Sequence, residues 1–308
     1  MADIICHLGL HKTASGTLQR QFFPACAGLN LLTTLDPAVR QFVHAVTRKD
    51  PLYFDHHEAL ALLAGRLRDD RVNLLSNESL SGPPYAGVAE GGLDHRSSVL
   101  QNLKAALPDA RVVLVLRRQD SLAHSLYRQY LKRGGTARVD RFYGMSAAHQ
   151  PPMMSLDRFC FSPFVRCVFE SFGSRVLVST FEQFLKDQQS FLERLCQFIE
   201  VERPDIKLDP ENATRMGPAG MEVTRLLNFA FRGTLNQGIL PPLPIRRRGR
   251  WMRVSPVELM HDHWPGRPGS RPDSTSNRVT REIWEMYRED NRQLDAEFRL
   301  GLGEFGYY

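Results

Sequence analysis

The stretch that decides the fold is HLGLHKTASGTLQ, residues 7–19. It continues an apolar run, DIICHLG at 3–9, which is typical of a buried strand, and it passes at once into an amphipathic helical pattern. Lys12 and five small or hydroxyl residues stand between the two. A helix that starts there offers free N–H groups, and small residues let the backbone approach a ligand closely. The stretch therefore predicts an anion-binding loop at the carboxyl end of a strand.

The rest of the chain repeats this alternation of strand and helix. Four apolar, β-rich runs predict strands at 3–9, 72–76, 111–116 and 175–180. Apolar residues at spacings of three and four predict helices at 15–23, 56–68, 97–107, 121–133, 188–200, 220–231 and 279–299. Pro24 is expected to end or kink the first of them. The alternation predicts an α/β fold with a mainly parallel sheet and helices on both faces.

Two stretches do not follow the pattern, 134–158 and 240–277. Long loops in compact domains are usually functional or disordered. Because neither has the composition of a linker between domains, we predict one domain over residues 1–308. The two stretches are then loop insertions, and we expect them to cover an acceptor or a nucleotide.

Composition narrows the class of protein. The formal net charge of +6 favours an anionic ligand, although a solvated basic surface explains it equally well. Nucleic acid is disfavoured, because no binding module is recognisable and arginines interleave with acids along most of the chain. Five scattered cysteines without CxxC spacing predict reduced thiols in a cytoplasmic protein and no metal site.

Membrane insertion and secretion are also disfavoured. The longest apolar runs, such as VVLVL at 112–116, are far shorter than the roughly 20 residues of a membrane helix. The start, MADIICHLG, lacks the basic region of a secretory signal. We expect a protein that does not span a membrane, with peripheral membrane contact still open.

A kinase-type nucleotide loop is the first rival interpretation of the opening stretch. That motif, GxxxxGK[ST], places its lysine after the glycines. Counting from Gly9, the required Gly-Lys pair falls on Ala14 and Ser15, so the motif fails. A plain strand-to-helix turn with an exposed lysine is the second rival.

A second element favours the anion site over the plain turn. RVVLVLRRQDSLAHSLYRQY, residues 111–130, predicts a buried strand, Arg117 at its end, Asp120 as helix cap and Ser125 in the helix. Arg117 and Ser125, eight residues apart, can converge on one anion, the arginine through a bidentate fork. Alone the pair fits a structural arginine and a surface serine. Together with the first loop it predicts two anion sites at two strand ends.

These two elements resemble a known family. HKTASGTLQ resembles the 5′-phosphosulfate loop of sulfotransferases that use 3′-phosphoadenosine 5′-phosphosulfate (PAPS), and LRRQDSLAHSLY resembles their 3′-phosphate site. In its amino-acid sequence, HLGLHKTASGTLQ most resembles bacterial members of this family. The strand-and-helix segment FGSRVLVSTFEQFLKDQQSFLERLCQFIEV and the helix MYREDNRQLDAEF are similar to later parts of the family.

The resemblance implies a doubly wound sheet of the nucleotide-kinase type in three layers, PAPS as co-substrate and no metal. It implies that Arg117 and Ser125 hold the 3′-phosphate. It also implies a 5′-phosphosulfate site made of Lys12, Thr13, Ala14, Ser15, Gly16 and Thr17. Ala14 and Gly16 stand where many members have Gly and Thr. The arginine-glycine element that closes over the adenosine has no clean counterpart, and RRRGRW at 246–251 and Arg215 are candidates.

Sulfuryl transfer needs a base, in-line positioning and compensation of charge on the departing phosphate. Lys12 and the amides of residues 15–17 suit the last two. Glu78, just after the strand at 72–76, is the first candidate for the base, since several branches of the family use a glutamate there. A glutamate that caps a turn is the rival interpretation. His11 and His7 come next, and Lys12 should depress the pKa of His11.

We therefore predict a sulfotransferase that transfers a sulfuryl group from PAPS to a hydroxyl of a carbohydrate or glycolipid. One alternative is a P-loop kinase of small molecules, which only the fold supports. The other is a non-catalytic anion-binding protein of the same fold. The joint presence of Lys12, Glu78, Arg117 and Ser125 disfavours that one.

Overall fold

The structure is a computed structural model that describes residues 3–82, 95–145, 153–208, 216–247, 250–257, 260 and 278–308. Its chain divides into two compact units. The first consists of Met1–Gln119, Met154–Glu211 and Trp284–Tyr308. The second consists of Asp120–Met153 and Asn212–Ile283. The prediction of one domain over 1–308 stays a prediction.

The first unit contains a five-stranded parallel sheet. Its strands are β1 Ile4–Gly9, β2 Leu29–Leu32, β3 Val72–Ser76, β4 Arg111–Leu116 and β5 Val176–Thr180. The strand order is β2-β3-β1-β4-β5, with β1 in the centre and every pairing parallel. The chain first fills one side of β1 and then the other, which is a doubly wound arrangement. The predicted fold class is confirmed.

Helices alternate with the strands along the chain. In chain order the described helices are α1 Ser15–Thr17, α2 Pro37–Arg48, α3 His56–Leu63, α4 Arg96–Ala106, α5 Gln119–Lys132, α6 Val139–Phe142, α7 Phe161–Phe172, α8 Phe181–Lys186, α9 Gln188–Ile199, α10 Pro218–Ala230 and α11 Arg278–Phe298. The first is short because it continues as a π turn, Leu18–Phe22, and a 3₁₀ turn, Phe23–Ala25. Pro24 thus lies in the last turn, where the helix was expected to end.

Both faces of the sheet are buried. The strand residues Ile5, Val113 and Leu177 pack in one apolar cluster with Phe22 and Phe191, which belong to helical segments. The alternate strand residues, including Cys6, Leu8, Val112 and Leu114, are buried as well. Each fully buried side chain of this size contributes about 1.5–3 kcal/mol. The strands are therefore continuous apolar runs, as expected for a parallel sheet covered on both sides.

The second unit contains α6, α10 and an antiparallel hairpin of β6 Leu243–Arg247 and β7 Arg250–Val254. Tyr130, also in this unit, accepts hydrogen bonds at Oη from the amides of Thr136 and Ala137 at 3.1 and 3.0 Å. The stretches 134–158 and 240–277 are thus not irregular throughout, because α6 and the hairpin lie within them. Residues 146–152, 248–249, 258–259 and 261–277 of these stretches lie outside the described residues. Within the described ranges, no helix combines the length and apolarity needed to cross a bilayer.

Candidate active site

The loop after β1 has an unusual backbone. Lys12 and Ala14 have φ values of 72° and 64°, in the left-handed region. A residue with a Cβ costs about 1–2 kcal/mol there, and such residues cluster at functional sites. Ala14 directly precedes α1, so the first amides of that helix, at Ser15, Gly16 and Thr17, have no acceptor within it. The loop can therefore present a lysine and several N–H groups to an anion.

Buried hydroxyl groups fix the shape of this loop. Thr13 Oγ1 donates to the Leu10 carbonyl at 2.5 Å and lies 3.4 Å from Ser15 Oγ. Thr13 and Ser15 are both buried. A Cβ at Gly9 would lie 2.2 Å from Ser15 Oγ, so this glycine is required for the serine to fit. The small residues in the sequence thus serve close packing within the loop.

His11 and Glu78 form a pair at the ends of two neighbouring strands. Because β1 pairs with β3, residues 67 apart in sequence meet there, and His11 Nδ1 lies 2.9 Å from Glu78 Oε2. Glu78 begins a 3₁₀ turn, Glu78–Ser81, which Asn77 caps by accepting from the Ser79 amide at 2.8 Å. The His11 side chain is 10% exposed and that of Glu78 35%. The pair is partly shielded from water and held by a capped turn.

Electrostatics fix the protonation state of the pair. Burial lowers the pKa of His11 below its usual 6.5, and the charges of Arg158 and Lys12 act in the same direction, against the hydrogen bond to Glu78. Burial alone would raise the pKa of Glu78, but the hydrogen bond from His11 and the positive charge of Lys12 oppose it, and the pKa lies below 4.5. At neutral pH His11 is therefore neutral and Glu78 ionised. His11 Nδ1–H then donates to the carboxylate, and Nε2 carries the lone pair.

Among the described residues, the buried Nε2 atom of His11 has no hydrogen-bond partner. Leaving a buried polar atom unsatisfied costs about 1–3 kcal/mol. Such atoms are rare in native structures and a catalytic role is one explanation for them, although His7 Nε2 is in the same state. The atom is thus a candidate proton acceptor, with its tautomer fixed from the other side of the ring by Glu78.

A second polar group supports the end of β3. His7 Nδ1 lies 2.8 Å from Ser76 Oγ, and Gln19 Nε2 donates to the same Oγ at 3.0 Å. Burial lowers the pKa of His7 to about 4, so its ring is neutral. His7 therefore lies within the sheet, as expected, as part of a structural group. Sequence reasoning missed both Ser76 and Gln19. The only signal for Ser76 is the strand register, which places it opposite His7.

The turn that carries Glu78 is held by two further contacts. Ser81 Oγ donates to the Gly9 carbonyl at 3.1 Å, which ties the turn to β1. Arg158 Nη2 donates to the carbonyls of Ser81 and Gly82 at 3.2 and 2.8 Å. Arg158 is buried, and its charge also lowers the pKa of His11. Nothing in the sequence around Arg158 pointed to this position.

Arg117 connects the end of β4 to the loop. Its Nη1 donates to the Lys12 carbonyl at 2.5 Å, and its guanidinium lies 4.4 Å from the centre of the Phe181 ring. Ser125 is half-buried in α5 and belongs to the second unit, so its convergence with Arg117 stays a prediction. Arg215 lies outside the described residues, as do the side chains of 245–252. The structure thus brings together His11, Lys12, Glu78 and Arg117.

Comparisons with known proteins were made on sequence and on structure. No family model and no curated protein sequence matches the chain. Several solved structures resemble it, and three of them are described here. All three are sulfotransferases. One, from Alicyclobacillus acidocaldarius, is 17% identical with a TM-score of 0.49, over 69% of this chain and 88% of its own.

The other two cover more of this chain at lower similarity. A mouse sulfotransferase complexed with PAP is 13% identical with a TM-score of 0.42, over 96% of this chain and 86% of its own. The sulfotransferase domain from the curacin biosynthetic pathway is 13% identical with a TM-score of 0.38, over 93% of this chain and 97% of its own. At these values the similarity adds no argument about activity, which rests on the site.

Proposed function

We propose that the protein is a PAPS-dependent sulfotransferase, a bacterial enzyme of the cytoplasm that sulfates a hydroxyl group of a carbohydrate or glycolipid. The observation that carries the proposal is the His11–Glu78 pair, 2.9 Å apart, next to Lys12. This arrangement combines a base with a cation at an anion-binding loop, which is what transfer of an anionic group to a hydroxyl requires.

The residues present suit a phosphosulfate. The loop combines Lys12 with the first amides of α1 and a left-handed backbone at Lys12 and Ala14, and these are groups that bind anions. Arg117 adds a second positive charge at the neighbouring strand end and fixes the Lys12 carbonyl. Nucleotide phosphates are bound by this chemistry at the carboxyl edge of parallel sheets in general.

His11 then acts as the general base. Its Nε2 takes the proton of the acceptor hydroxyl while the hydroxyl oxygen forms a bond to sulfur. The bond between sulfur and the phosphate oxygen breaks, and its electron pair stays on the departing 3′,5′-bisphosphoadenosine. Lys12 and the loop amides compensate the negative charge that develops on that phosphate. Glu78 orients the ring and stabilises the imidazolium that forms.

A ligand-dependent thermal-shift measurement tests the proposal. We expect 3′,5′-bisphosphoadenosine to raise the melting temperature more than ADP, because only the former carries the 3′-phosphate. ATP, with and without Mg²⁺, is measured alongside. Equal shifts by ADP and the bisphosphate would remove the PAPS assignment, and a larger shift by Mg²⁺-ATP would favour the kinase.

A further inference from the structure

A carboxylate lies beside the arginine at the end of β4. Glu182, in the first turn of α8, accepts a hydrogen bond at Oε1 from the Arg118 amide, over 3.2 Å. The residue before it, Phe181, has its ring centre 4.4 Å from the guanidinium of Arg117. The first turn of α8 therefore contacts both the peptide that joins Arg117 to Arg118 and the Arg117 side chain.

Glu182 is held from its other side by Tyr307. Tyr307 Oη donates to Glu182 Oε2 at 2.8 Å, so both carboxylate oxygens accept a hydrogen bond. Tyr307 is buried, and burial raises the pKa of its hydroxyl well above 10, so the phenol keeps its proton. Burial also raises the pKa of Glu182 above its usual 4.5, against the hydrogen bond from Tyr307 and the charge of Arg117. Two donors thus fix the direction of a carboxylate that is largely removed from water.

These contacts belong to a closed ring of hydrogen bonds. Asn291, in α11, donates from Nδ2 to the Tyr307 carbonyl at 3.0 Å. Its side-chain amide also exchanges two hydrogen bonds with that of Gln119, at 2.7 and 3.0 Å. The side chains of this ring are buried at Gln119, Asn291 and Tyr307. The ring thus leaves the chain at the Arg118 amide and returns to it at the next residue, Gln119.

The ring acts on the chain just beyond the sheet. Leu116 is the last residue of β4 and is paired with Thr180 of β5, so Arg117 is the first residue outside the strand. A buried polar network whose members are satisfied fixes one arrangement of the groups that it joins. The ring joins residues 118 and 119, and it therefore fixes the direction in which the chain leaves β4. The position of the Arg117 side chain depends on that direction.

We propose that Glu182 is a positioning residue for Arg117 and that Tyr307 holds Glu182 in place. The proposal rests on the proposed function and on the prediction that Arg117 binds the 3′-phosphate of the donor. A guanidinium binds phosphate through two parallel hydrogen bonds only when its plane faces the phosphate. An arginine whose backbone is already fixed loses less conformational entropy on binding. Glu182 does not contact the donor in this mechanism and acts only through Arg117.

Two substitutions of Glu182 separate positioning from charge. Glu182→Gln removes the negative charge but keeps an oxygen that can accept from the Arg118 amide, whereas Glu182→Ala removes both. A negative charge near Arg117 competes with a phosphate, so the glutamine variant should bind 3′,5′-bisphosphoadenosine at least as tightly as the parent. The alanine variant should bind it about tenfold more weakly than the glutamine variant, as for one lost hydrogen bond. Equal dissociation constants in calorimetry would overturn the proposal.

The same pair of variants in an Arg117→Ala background shows whether Glu182 acts through the arginine. A residue that only stabilises the fold would change the dissociation constant by the same factor in both backgrounds. We expect the difference between Glu182→Ala and Glu182→Gln to disappear when Arg117 is replaced. A difference that stays about tenfold in that background would make Glu182 a structural residue, contrary to the proposal.

Tyr307→Phe removes only the hydroxyl that holds Glu182. It should weaken binding of the bisphosphate roughly threefold and leave binding of ADP, which lacks the 3′-phosphate, unchanged. The matched control is Tyr308→Phe, because Tyr308 Oη makes a bond of the same kind and length, 2.8 Å to Asp295 Oδ2. The control should bind both nucleotides as the parent does. Equal weakening by the two variants, or for the two nucleotides, would contradict the role of Tyr307.

Hydrogen exchange without any ligand separates this proposal from the proposed function. The Arg118 amide should exchange faster in Glu182→Ala than in the parent, because its acceptor is gone. The Val112 amide, which donates to the Arg175 carbonyl at 2.7 Å in the sheet, should keep its rate. If the bisphosphate failed to bind the parent, the PAPS assignment alone would fail, and the exchange rates would still decide the positioning. Unchanged exchange at Arg118, or equal acceleration at Val112, would overturn it.

Discussion

The loop after β1 and the exposed side of α10 differ in how firmly their side chains are held. In the loop, Thr13 and Arg117 are fixed by hydrogen bonds to the carbonyls of Leu10 and Lys12. On α10, Val223, Leu226 and Phe229 are 42%, 54% and 59% exposed. Accurate placement is needed where charge changes during a reaction, whereas an exposed side chain has few contacts to lose. Single substitutions should therefore have large effects in the loop and small effects on the exposed side of α10.

The largest effect is expected at His11. His11→Gln removes the proposed proton acceptor but keeps a polar side chain of similar reach, and turnover should fall by about 10²–10⁴-fold. Glu78→Gln should cost less, since the amide oxygen can still accept from Nδ1. Sulfated product is measured at saturating donor, with folding checked by thermal unfolding. Near-normal turnover in a folded His11→Gln variant would show that His11 is not the base.

The pH dependence of the same variants separates the two members of the pair. In the proposed mechanism neutral His11 is the active form, and its pKa is lowered from 6.5, so the rate of the parent should fall through an acid limb below that pH. Glu78 raises the pKa of His11, so Glu78→Gln should move this limb to still lower pH. If Glu78 were the base, the limb would disappear in that variant. A pH profile of turnover decides between them.

Lys12→Met should give the next largest effect. In the proposed mechanism its charge lies beside the departing phosphate and interacts most strongly in the transition state, so we expect about a 10²–10³-fold loss of turnover. The dissociation constant of 3′,5′-bisphosphoadenosine should change much less. Lys12→Arg is the control, because it keeps the charge. Normal turnover with weakened binding would make Lys12 a simple anchor.

Arg117→Ala should mainly affect the donor. Loss of one charge-assisted contact, about 1.5–3 kcal/mol, should weaken binding of the bisphosphate roughly 10- to 150-fold. Titration with ADP is the comparison, since ADP lacks the 3′-phosphate. An equal loss for both nucleotides would show that Arg117 acts only through the Lys12 carbonyl.

The smallest effects are expected in stability, where the two regions can be compared directly. Gly9→Ala should destabilise by about 1–3 kcal/mol, because the new Cβ would overlap Ser15 Oγ at 2.2 Å. Leu226→Ser, on the exposed side of α10, should change the free energy of unfolding by no more than about 0.5 kcal/mol. Urea unfolding measures both. Equal destabilisation would mean that the exposed side of α10 contributes to stability as much as the loop does.

The strands show how far the sequence could predict the fold. Four predicted strands agree with β1, β3, β4 and β5 to within a residue, because both faces are buried and the runs are apolar throughout. β2 was missed, since four residues of LNLL are too short to show a period. The helix α2 was missed as well, although Asp36 and Pro37 form a recognisable start. The hairpin lies in a segment rich in proline and arginine, a composition typical of loops.

The sequence allowed the residues of the candidate site to be named, but it did not allow their contacts to be predicted. Lys12, His11 and Glu78 stand at strand ends, which parallel topology brings to one edge. Their roles depend on a side-chain contact across 67 residues, and no spacing in the sequence encodes it. The burial of His11 and the effect of the Arg158 charge on its pKa likewise depend on the tertiary structure. Sequence reasoning therefore named Glu78 as the first candidate for the base, the proposed mechanism uses His11, and the choice between the two stays a prediction.

Ala14 has a consequence for the thermodynamics of ligand capture. Glycine would adopt its φ of 64° without strain, but it would also leave the empty loop many other conformations. Alanine has fewer alternatives, so less conformational entropy is lost when an anion arrives. In calorimetry, the Ala14→Gly variant should therefore bind the anion with a more unfavourable entropy than the parent. Its empty loop should be less strained than that of the parent. Alanine at this position would thus strain the empty loop but reduce the conformational entropy that is lost on binding.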